Sequence, residues 1–173
     1  MKILFSSILV ICLFFTNQAF SQQKIAFIDM DRVISTCKPG SSILKQLNAL
    51  KNKNSKFLKK EEKKFKEKET KLISQKNIIS ETIFKNKVDE LKSEIKNYNQ
   101  NRNKMLADFK RLKIDNTNNL LKLINPILTR FSDDKEISII LQKKNLVVAK
   151  TELDITEEII KIINTEVKEF KIK

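Results

Sequence analysis

Apolar residues recur at helical spacing along a stretch of 85 residues, numbers 41–125, that contains neither glycine nor proline. In its first half a seven-residue repeat is broken only by Lys51, and it comprises Leu44, Leu58, Phe65, Leu72 and Ile79. In its second half a coiled-coil spacing is broken only by Arg102, and it comprises Phe84, Val88, Leu91, Ile95, Tyr98, Met105, Phe109 and Leu112. This pattern predicts two long helices that pack along one seam.

The two helices are expected to fold back on each other as an antiparallel hairpin. A single helix of this length would extend about 128 Å and leave its apolar stripe open to water. The seam weakens between residues 74 and 82, where polar residues cluster and the repeat changes phase, so we place the tip there. Each arm would then reach roughly 50 Å. The second helix is expected to continue to Phe131, bent or divided at Pro126.

The two ends of the chain predict a small body with three strands and a final helix. Segments 24–30, 137–141 and 145–149 are short, apolar and rich in β-forming residues, and residues 142–144 would join the last two as a β-hairpin. Asp154 and Glu157 fit a capping box at the start of the final helix. Its buried face is expected to comprise Ile155, Ile159, Ile162, Ile163 and Val167. The fold class is therefore α+β and predominantly helical, with a β-rich body and a coiled-coil arm.

The N-terminus has the layout of a secretory signal peptide. Lys2 precedes an apolar run at residues 3–15, which is shorter than the roughly 20 residues of a membrane-spanning helix. Ala19 and Ser21 are small residues at the positions that a signal peptidase reads, so we predict cleavage after Ser21. An uncleaved membrane anchor is the alternative.

Cleavage would leave a mature chain of residues 22–173 and remove Cys12. The remaining cysteine, Cys37, has no partner for an intramolecular disulfide, so we expect a free thiol, with pairing between chains as the alternative. The predicted organisation is a signal peptide at residues 1–21, a body at 22–40 and 132–173, and a helical arm at 41–131 whose last turns pack on the body.

Composition argues against an enzyme. The chain has no histidine, which excludes Ser-His-Asp and Cys-His catalysis and His-ligated zinc, and its single glycine excludes a glycine-rich phosphate loop. Asp29 and Asp31 are the only pair of carboxylates near a predicted strand. No other candidate catalytic group accompanies them, so we interpret them as turn and cap residues. We expect no catalytic residues, no metal and no cofactor.

Positive charge is concentrated in the predicted arm. The chain has a formal net charge of +14, and residues 41–131 hold 23 Lys and Arg against 10 Asp and Glu. A solvated coiled-coil face is one explanation, and an anionic partner is the other. Export and the lack of aromatic platforms for stacking bases argue against nucleic acid. Anionic lipid head groups and acidic protein clients remain as partners.

Several features occur in a fixed order along the mature chain. Lys24-Ile-Ala-Phe-Ile-Asp29 opens it, the basic hairpin follows, and Asn145-Leu-Val-Val-Ala149 and Leu153-Asp-Ile-Thr156 precede the amphipathic final helix. In this order the chain resembles the Skp/OmpH family of periplasmic chaperones. The resemblance implies a homotrimer with a β-rich trimerisation body and three helical arms around a cavity. It also implies that unfolded outer-membrane β-barrel proteins are held without ATP.

The basic arm is the expected client-binding surface. Lysine suits it because a long apolar stem can lie on a hydrophobic client while the ammonium stays hydrated. The diffuse contact set is predicted to comprise Lys51, Lys53, Lys56, Lys59, Lys60, Lys63 and Lys64. The same charge would attract anionic lipid or lipopolysaccharide head groups. A structural coiled-coil spacer or adaptor of the cell envelope is the alternative function.

The body is expected to associate with other copies. Its first strand is apolar on both faces, yet a three-stranded sheet with one covering helix buries only one face in a monomer. Association would bury the other face. The predicted subunit interface comprises Ile25, Phe27, Val147 and Ala149.

Overall fold

The structure is a computed structural model that describes residues 23–173. The predicted signal peptide, with Cys12, lies outside the described residues. The elements in chain order are β1 (Lys24–Ile28), α1 (Met30–Thr36), α2 (Lys38–Gln75), α3 (Glu81–Asp134), β2 (Ile137–Gln142) and α4 (Thr156–Glu166), with 3-10 turns at Lys143–Asn145 and Thr151–Leu153. The predicted α+β, predominantly helical class is confirmed.

Helices α2 and α3 form the predicted antiparallel hairpin. At 1.5 Å per residue they are about 57 Å and 81 Å long. Residues 76–80 connect them, inside the interval predicted for the tip. The Ser80 hydroxyl starts α3 by accepting a hydrogen bond from the Ile83 amide at 3.4 Å. The tip therefore forms without glycine or proline, through a loop that contains Ile78 and Ile79 and ends in a serine cap.

Helix α3 continues into the body without interruption. Pro126 lies inside it on an exposed face, so of the two expected effects, a bend or a division, the division is wrong. The helix survives because a proline removes a single backbone hydrogen bond, and packing on either side holds the turns in place. That packing comes from a buried stripe at helical spacing, formed by Leu120, Ile124, Ile127 and Phe131. The last turns of α3 therefore belong to the core of the body.

A tight junction between α1 and α2 fixes the base of the hairpin. Asp29 caps α1, its Oδ1 accepting a hydrogen bond from the Arg32 amide at 2.9 Å, as expected for a cap residue. Gly40, in the first turn of α2, lies against α1 so closely that a Cβ there would be 1.8 Å from the Ile34 carbonyl oxygen. Only glycine fits this contact. Burial raises the pKa of the Cys37 thiol at the junction, although a backbone hydrogen bond with Gly40 opposes the shift.

The body contains a two-stranded parallel sheet. Strands β1 and β2 pair from Ile25 opposite Ile139 to Ile28 opposite Gln142, with an irregularity after Lys24. The other edge of β1 is covered by the start of α4, where the Ile155 amide donates to the Phe27 carbonyl at 3.0 Å. The second edge of β1 is thus bonded within the protomer at Phe27.

The predicted third strand, residues 145–149, is wrong for the isolated protomer. Residues 142–144 do not form a β-hairpin, because a 3-10 turn at Lys143–Asn145 carries the chain away from β2. Two-residue hairpin turns favour glycine or asparagine with positive φ, which this segment lacks at its centre. Val147 and Val148 are consequently 100% and 88% exposed. No element of the described chain covers this apolar segment.

The final helix α4 differs from the predicted capping box. Asp154 does accept an amide hydrogen bond, from Thr156 at 3.0 Å, but Glu157 reaches across to Arg32 at 2.6 Å instead of back to the cap. Burial acts to raise the pKa of Asp154, and hydrogen bonds from Thr156 and Lys143 outweigh it and hold the pKa below its usual range. The capping prediction is therefore half right, since only the carboxylate before the helix caps it.

A single hydrophobic core joins the ends of the chain to the base of the hairpin. Its buried members come from β1, α1, the base of the hairpin and α4, and they include Val33, Ile43, Leu47, Leu120, Ile124, Ile159, Ile160 and Ile163. Strand β2 contributes only the partly buried Ile137 and Ile140. The prediction for α4 missed Ile160 and overstated Ile162 and Val167, which are only partly buried, and Val167 lies just past the end of the helix. Residues 167–173 follow α4 without regular structure and pack on this core through Val167, Phe170 and Ile172. Burial is therefore deep in the body and shallow along the arm.

Candidate functional site

The arm, helices α2 and α3 outside the body, is held together by a seam that is only half-buried. Seam residues such as Leu58, Leu72 and Leu91 are partly exposed because a two-helix pair covers each apolar side chain from one side only. Polar contacts supplement the seam. Lys68 of α2 bonds to Glu94 of α3 at 2.5 Å. The partly exposed seam leaves apolar surface that a partner other than the two helices can contact.

The predicted client-binding lysines are all exposed on α2. By helical geometry Lys56, Lys60 and Lys63 lie on the side of α2 opposite the seam, since α2 turns 100° per residue. Within residues 23–173, only two of the seven take part in ion pairs: Lys63 with Glu67 at 3.8 Å and Lys64 with Glu61 at 2.6 Å. The other five ammonium groups are uncompensated by ion pairs in the described chain. The outer side of α2 is therefore a broad basic face.

A groove opens between the arm helices near the body. It has a volume of about 870 Å³, and we call it the inter-helix groove. Its apolar lining comes from both helices: Leu50 on α2, and Met105, Phe109 and Leu112 on α3. Charged groups at its rim are Lys104, Asp108, Arg111, Asp115 and Lys173. The groove combines an apolar floor with a mixed-charge rim, which suits a peptide more than a small anion.

The sequence did not predict the inter-helix groove. Met105, Phe109 and Leu112 were assigned to the seam, because their spacing is the same whether or not the opposite helix covers them. No signal in the spacing separates these two cases. Three isoleucines at the tip are exposed: Ile73 by 64%, Ile78 by 79% and Ile83 by 50%. The exposure of Ile78 agrees with the polar residues that precede it in the sequence.

The four predicted interface residues fall into two groups. Phe27 is buried inside the protomer, where its ring lies 5.7 Å from the Lys143 ammonium. Ile25 is 44% exposed, Val147 is fully exposed, and Ala149 is also exposed. The structure thus places Phe27 in the core and leaves the other three at the surface of the body.

The carboxylates that the sequence placed near the first strand lie at the start of α1. Asp29 caps α1 and Asp31 is exposed in its first turn, which agrees with their interpretation as turn and cap residues. Between residues 23 and 173 no three Cys, Asp or Glu side chains cluster as metal ligands would. In the same part of the chain, none of the helices has the length and apolarity needed to cross a membrane.

One protein-family model matches most of the chain. The family model described as "Outer membrane protein (OmpH-like)" matches residues 24–163. The chain belongs to the OmpH-like family. The Skp/OmpH resemblance expected from the sequence is thereby confirmed. Residues 164–173 of this OmpH-like chain, which include the tail after α4, lie beyond the matched region.

A solved structure shares the fold of the OmpH-like chain. It is the crystal structure of a proposed outer membrane chaperone (OmpH-like) from Caulobacter crescentus CB15. The TM-score is 0.79 at 11% sequence identity, and the match covers 87% of this chain and 89% of that chain. At this identity the likeness establishes the fold alone. The OmpH-like chain matches no curated protein.

Proposed function

We propose that this OmpH-like protein is an ATP-independent holding chaperone of the periplasm. It binds unfolded outer-membrane β-barrel proteins and keeps them soluble in transit to the outer membrane. The observation that carries this proposal is the family match over residues 24–163, which spans the entire basic arm and the body as far as Ile163 in α4. The predicted signal peptide at residues 1–21 supports a periplasmic location, and we expect no enzymatic activity.

Clients are held through many weak contacts along the arm. The uncompensated lysines of α2, among them Lys53, Lys56 and Lys60, attract acidic segments of the client from a distance. Their alkyl stems, together with half-exposed seam residues, then cover apolar strands. Because each contact is weak, the chain releases its client without hydrolysis of a nucleotide. The same lysines are expected to bind anionic lipid or lipopolysaccharide head groups, and not nucleic acid.

The functional unit is a homotrimer joined through the body. The apolar segment with Val147 and Val148 is uncovered in the protomer, and Ile25 at the start of β1 is half-exposed. Exposed apolar segments of this kind are typical of association surfaces. Three bodies packed together would bury them and set three arms around a common cavity. The cavity would shield a client from other unfolded chains.

The direct test is protection of an unfolded barrel from aggregation. A urea-denatured outer-membrane barrel is diluted into buffer with or without residues 22–173, and turbidity is followed over time. A holding chaperone suppresses turbidity in proportion to its concentration and without ATP. A structural spacer, the alternative function, leaves the turbidity unchanged. That second result would contradict the proposal.

A matched pair of variants tests whether client binding depends on the lysines of the arm or on the overall positive charge of the chain. The arm variant is K53E/K56E/K60E/K63E, and the control variant carries four reversals on exposed lysines of the body and tail, K144E/K150E/K161E/K168E. Both change the net charge by the same amount. The arm variant is expected to lose most of the protection while the control retains it. Equal loss in both variants would show that overall charge, and not the arm, governs binding.

A further inference from the structure

In the tail after α4, residues 167–173, polar and apolar side chains alternate from Glu169 to Lys173. Phe170 and Ile172 are half-buried against the core, whereas Glu169 and Lys171 are exposed. Val167 has extended backbone angles, with φ −102° and ψ 115°. This alternation is what an extended chain produces when one side faces the protein.

Gln46 of α2 binds the tail through its backbone. The Gln46 Nε2 donates to the Phe170 carbonyl at 3.0 Å, and its Oε1 accepts from the Ile172 amide at 3.2 Å. These two tail groups flank Lys171 and are the pair that a residue of a neighbouring parallel strand would bond. The Gln46 side chain therefore replaces one residue of a strand. Because its hydrogen bonds to the tail involve only main-chain atoms, it places no demand on the sequence of the bound segment.

Asn116 of α3 holds the tail from the other helix. It is 2% exposed, and its Nδ2 donates to the Leu112 carbonyl at 2.7 Å and to the main-chain oxygen of Lys173 at 3.3 Å. The tail thus contacts both helices of the hairpin. Lys173 also lines the inter-helix groove. The groove therefore continues the path of the tail along the arm.

We propose that the base of the inter-helix groove is a binding site for an extended peptide with alternating apolar residues, occupied at rest by the tail. The inference rests on the proposed function, because the strands of membrane β-barrels have this alternation. An unfolded barrel segment would replace the tail, bond its backbone to Gln46 and continue into the open groove. The mode is the addition of a strand to a preformed backbone-binding site.

The contacts of the tail suit exchange with a client. Three hydrogen bonds, two to the partly buried Gln46 and one to Asn116, and three partly buried side chains are a modest set of interactions. Covalent linkage gives the tail a high effective concentration at the site, so a client must bind more tightly than the tail in order to displace it. Only a segment that also fills the open groove gains contacts that the tail does not make. The tail therefore selects against short or polar segments.

The first experiment measures binding of a labelled peptide to the intact mature chain. The peptide has the sequence of residues 167–173, and its control has serine in place of both apolar anchors. F170S/I172S weakens the tail, whereas K168S/K171S alters exposed positions only. Fluorescence anisotropy is expected to show about tenfold tighter peptide binding to F170S/I172S than to wild type or K168S/K171S. Adding Q46A to F170S/I172S is expected to reverse this gain.

The second experiment uses the wild-type chain and needs no substitution. Hydrogen–deuterium exchange of residues 167–173 is followed before and after addition of a denatured barrel. Faster exchange in the tail on client binding supports displacement. Unchanged exchange would mean that the site serves only the tail, or the tail of a second copy, and would overturn the proposal. Equal peptide binding with and without Gln46 would overturn it as well.

The two proposals fail separately. If turbidity of the barrel is suppressed but the tail neither exchanges faster nor yields its site to peptide, the chaperone function stands and the tail inference falls. If the peptide binds F170S/I172S tightly and the barrel still aggregates in every chain, the proposed function falls while a peptide site remains. Circular dichroism of each variant verifies that the helices are intact.

Discussion

Phe65 of α2 and Tyr98 of α3 meet edge to face midway along the arm, with ring centroids 5.3 Å apart and ring planes inclined at 63°. The phenol of Tyr98 also donates to the Glu62 carboxylate at 2.9 Å. This pair fixes the register of the hairpin where no other aromatic contact links the two helices in the described chain. It connects a seam residue to the charged surface beside it.

Tyr98 is expected to titrate above the ordinary pKa of tyrosine. Burial raises its pKa, and the hydrogen bond to Glu62 and the charge of that carboxylate raise it further. Because the chain has one tyrosine and no tryptophan, absorbance at alkaline pH reports this residue alone. Glu62→Gln is expected to lower the midpoint. Glu69→Gln, an exposed position on the same helix, is the control, and an equal midpoint in wild type and Glu62→Gln would contradict the contact.

Gly40→Ala is expected to destabilise the base of the hairpin. Its Cβ would overlap the Ile34 carbonyl oxygen, so α1 and α2 must separate. Overpacking of this kind costs about 1–3 kcal/mol of unfolding free energy. The measurement is urea unfolding at fixed protein concentration, with the exposed Ala49→Gly as a comparison for helix propensity alone. Wild-type stability in Gly40→Ala would show that the junction is looser than described.

V147D/V148D is expected to break the proposed trimer. Both valines are uncovered in the protomer, so aspartate there should leave the fold intact while placing charge in the predicted interface. Sedimentation of the variant should give a monomer with unchanged helical content. I78D, at an equally uncovered position on the arm tip, should remain a trimer. An assembled V147D/V148D would remove this segment from the interface.

Capture of clients by the arm is expected to weaken with salt. Exposed lysines act beyond contact distance only within a screening length, which is about 10 Å at 0.1 M salt and about 3 Å at 1 M. Stopped-flow association of a labelled barrel should slow as salt rises, and the slope should flatten in K53E/K56E/K60E/K63E. A salt-independent rate in wild type would mean that apolar contact alone drives capture.

The sequence predicted those parts of the fold that one chain determines by itself. The repeat through Leu58 and Phe65 located the helices, and the polar residues beside Ser80 located the tip, because both depend on local pattern. The strand at Val147 was wrong because a strand requires a partner, and the protomer offers none. Glu157 was misassigned because its partner Arg32 is distant in sequence. The backbone contacts of Gln46 were missed for the same reason.

The candidate site was predicted in part. The lysines of α2 were identified from charge alone, since surface charge is legible in a sequence without knowledge of packing. The inter-helix groove was not, because Phe109 has the same spacing whether it faces a helix or a groove. The sequence thus predicts the basic surface of the arm but not the inter-helix groove.

The mass of the complex tests the central claim most directly. The mature chain, residues 22–173, is measured by light scattering alone and after a denatured outer-membrane barrel is diluted into it. The proposed function predicts a trimer that forms a soluble complex with one barrel. A trimer beside an aggregated barrel would contradict the chaperone function, and a monomer would contradict the assembly on which the holding mechanism depends.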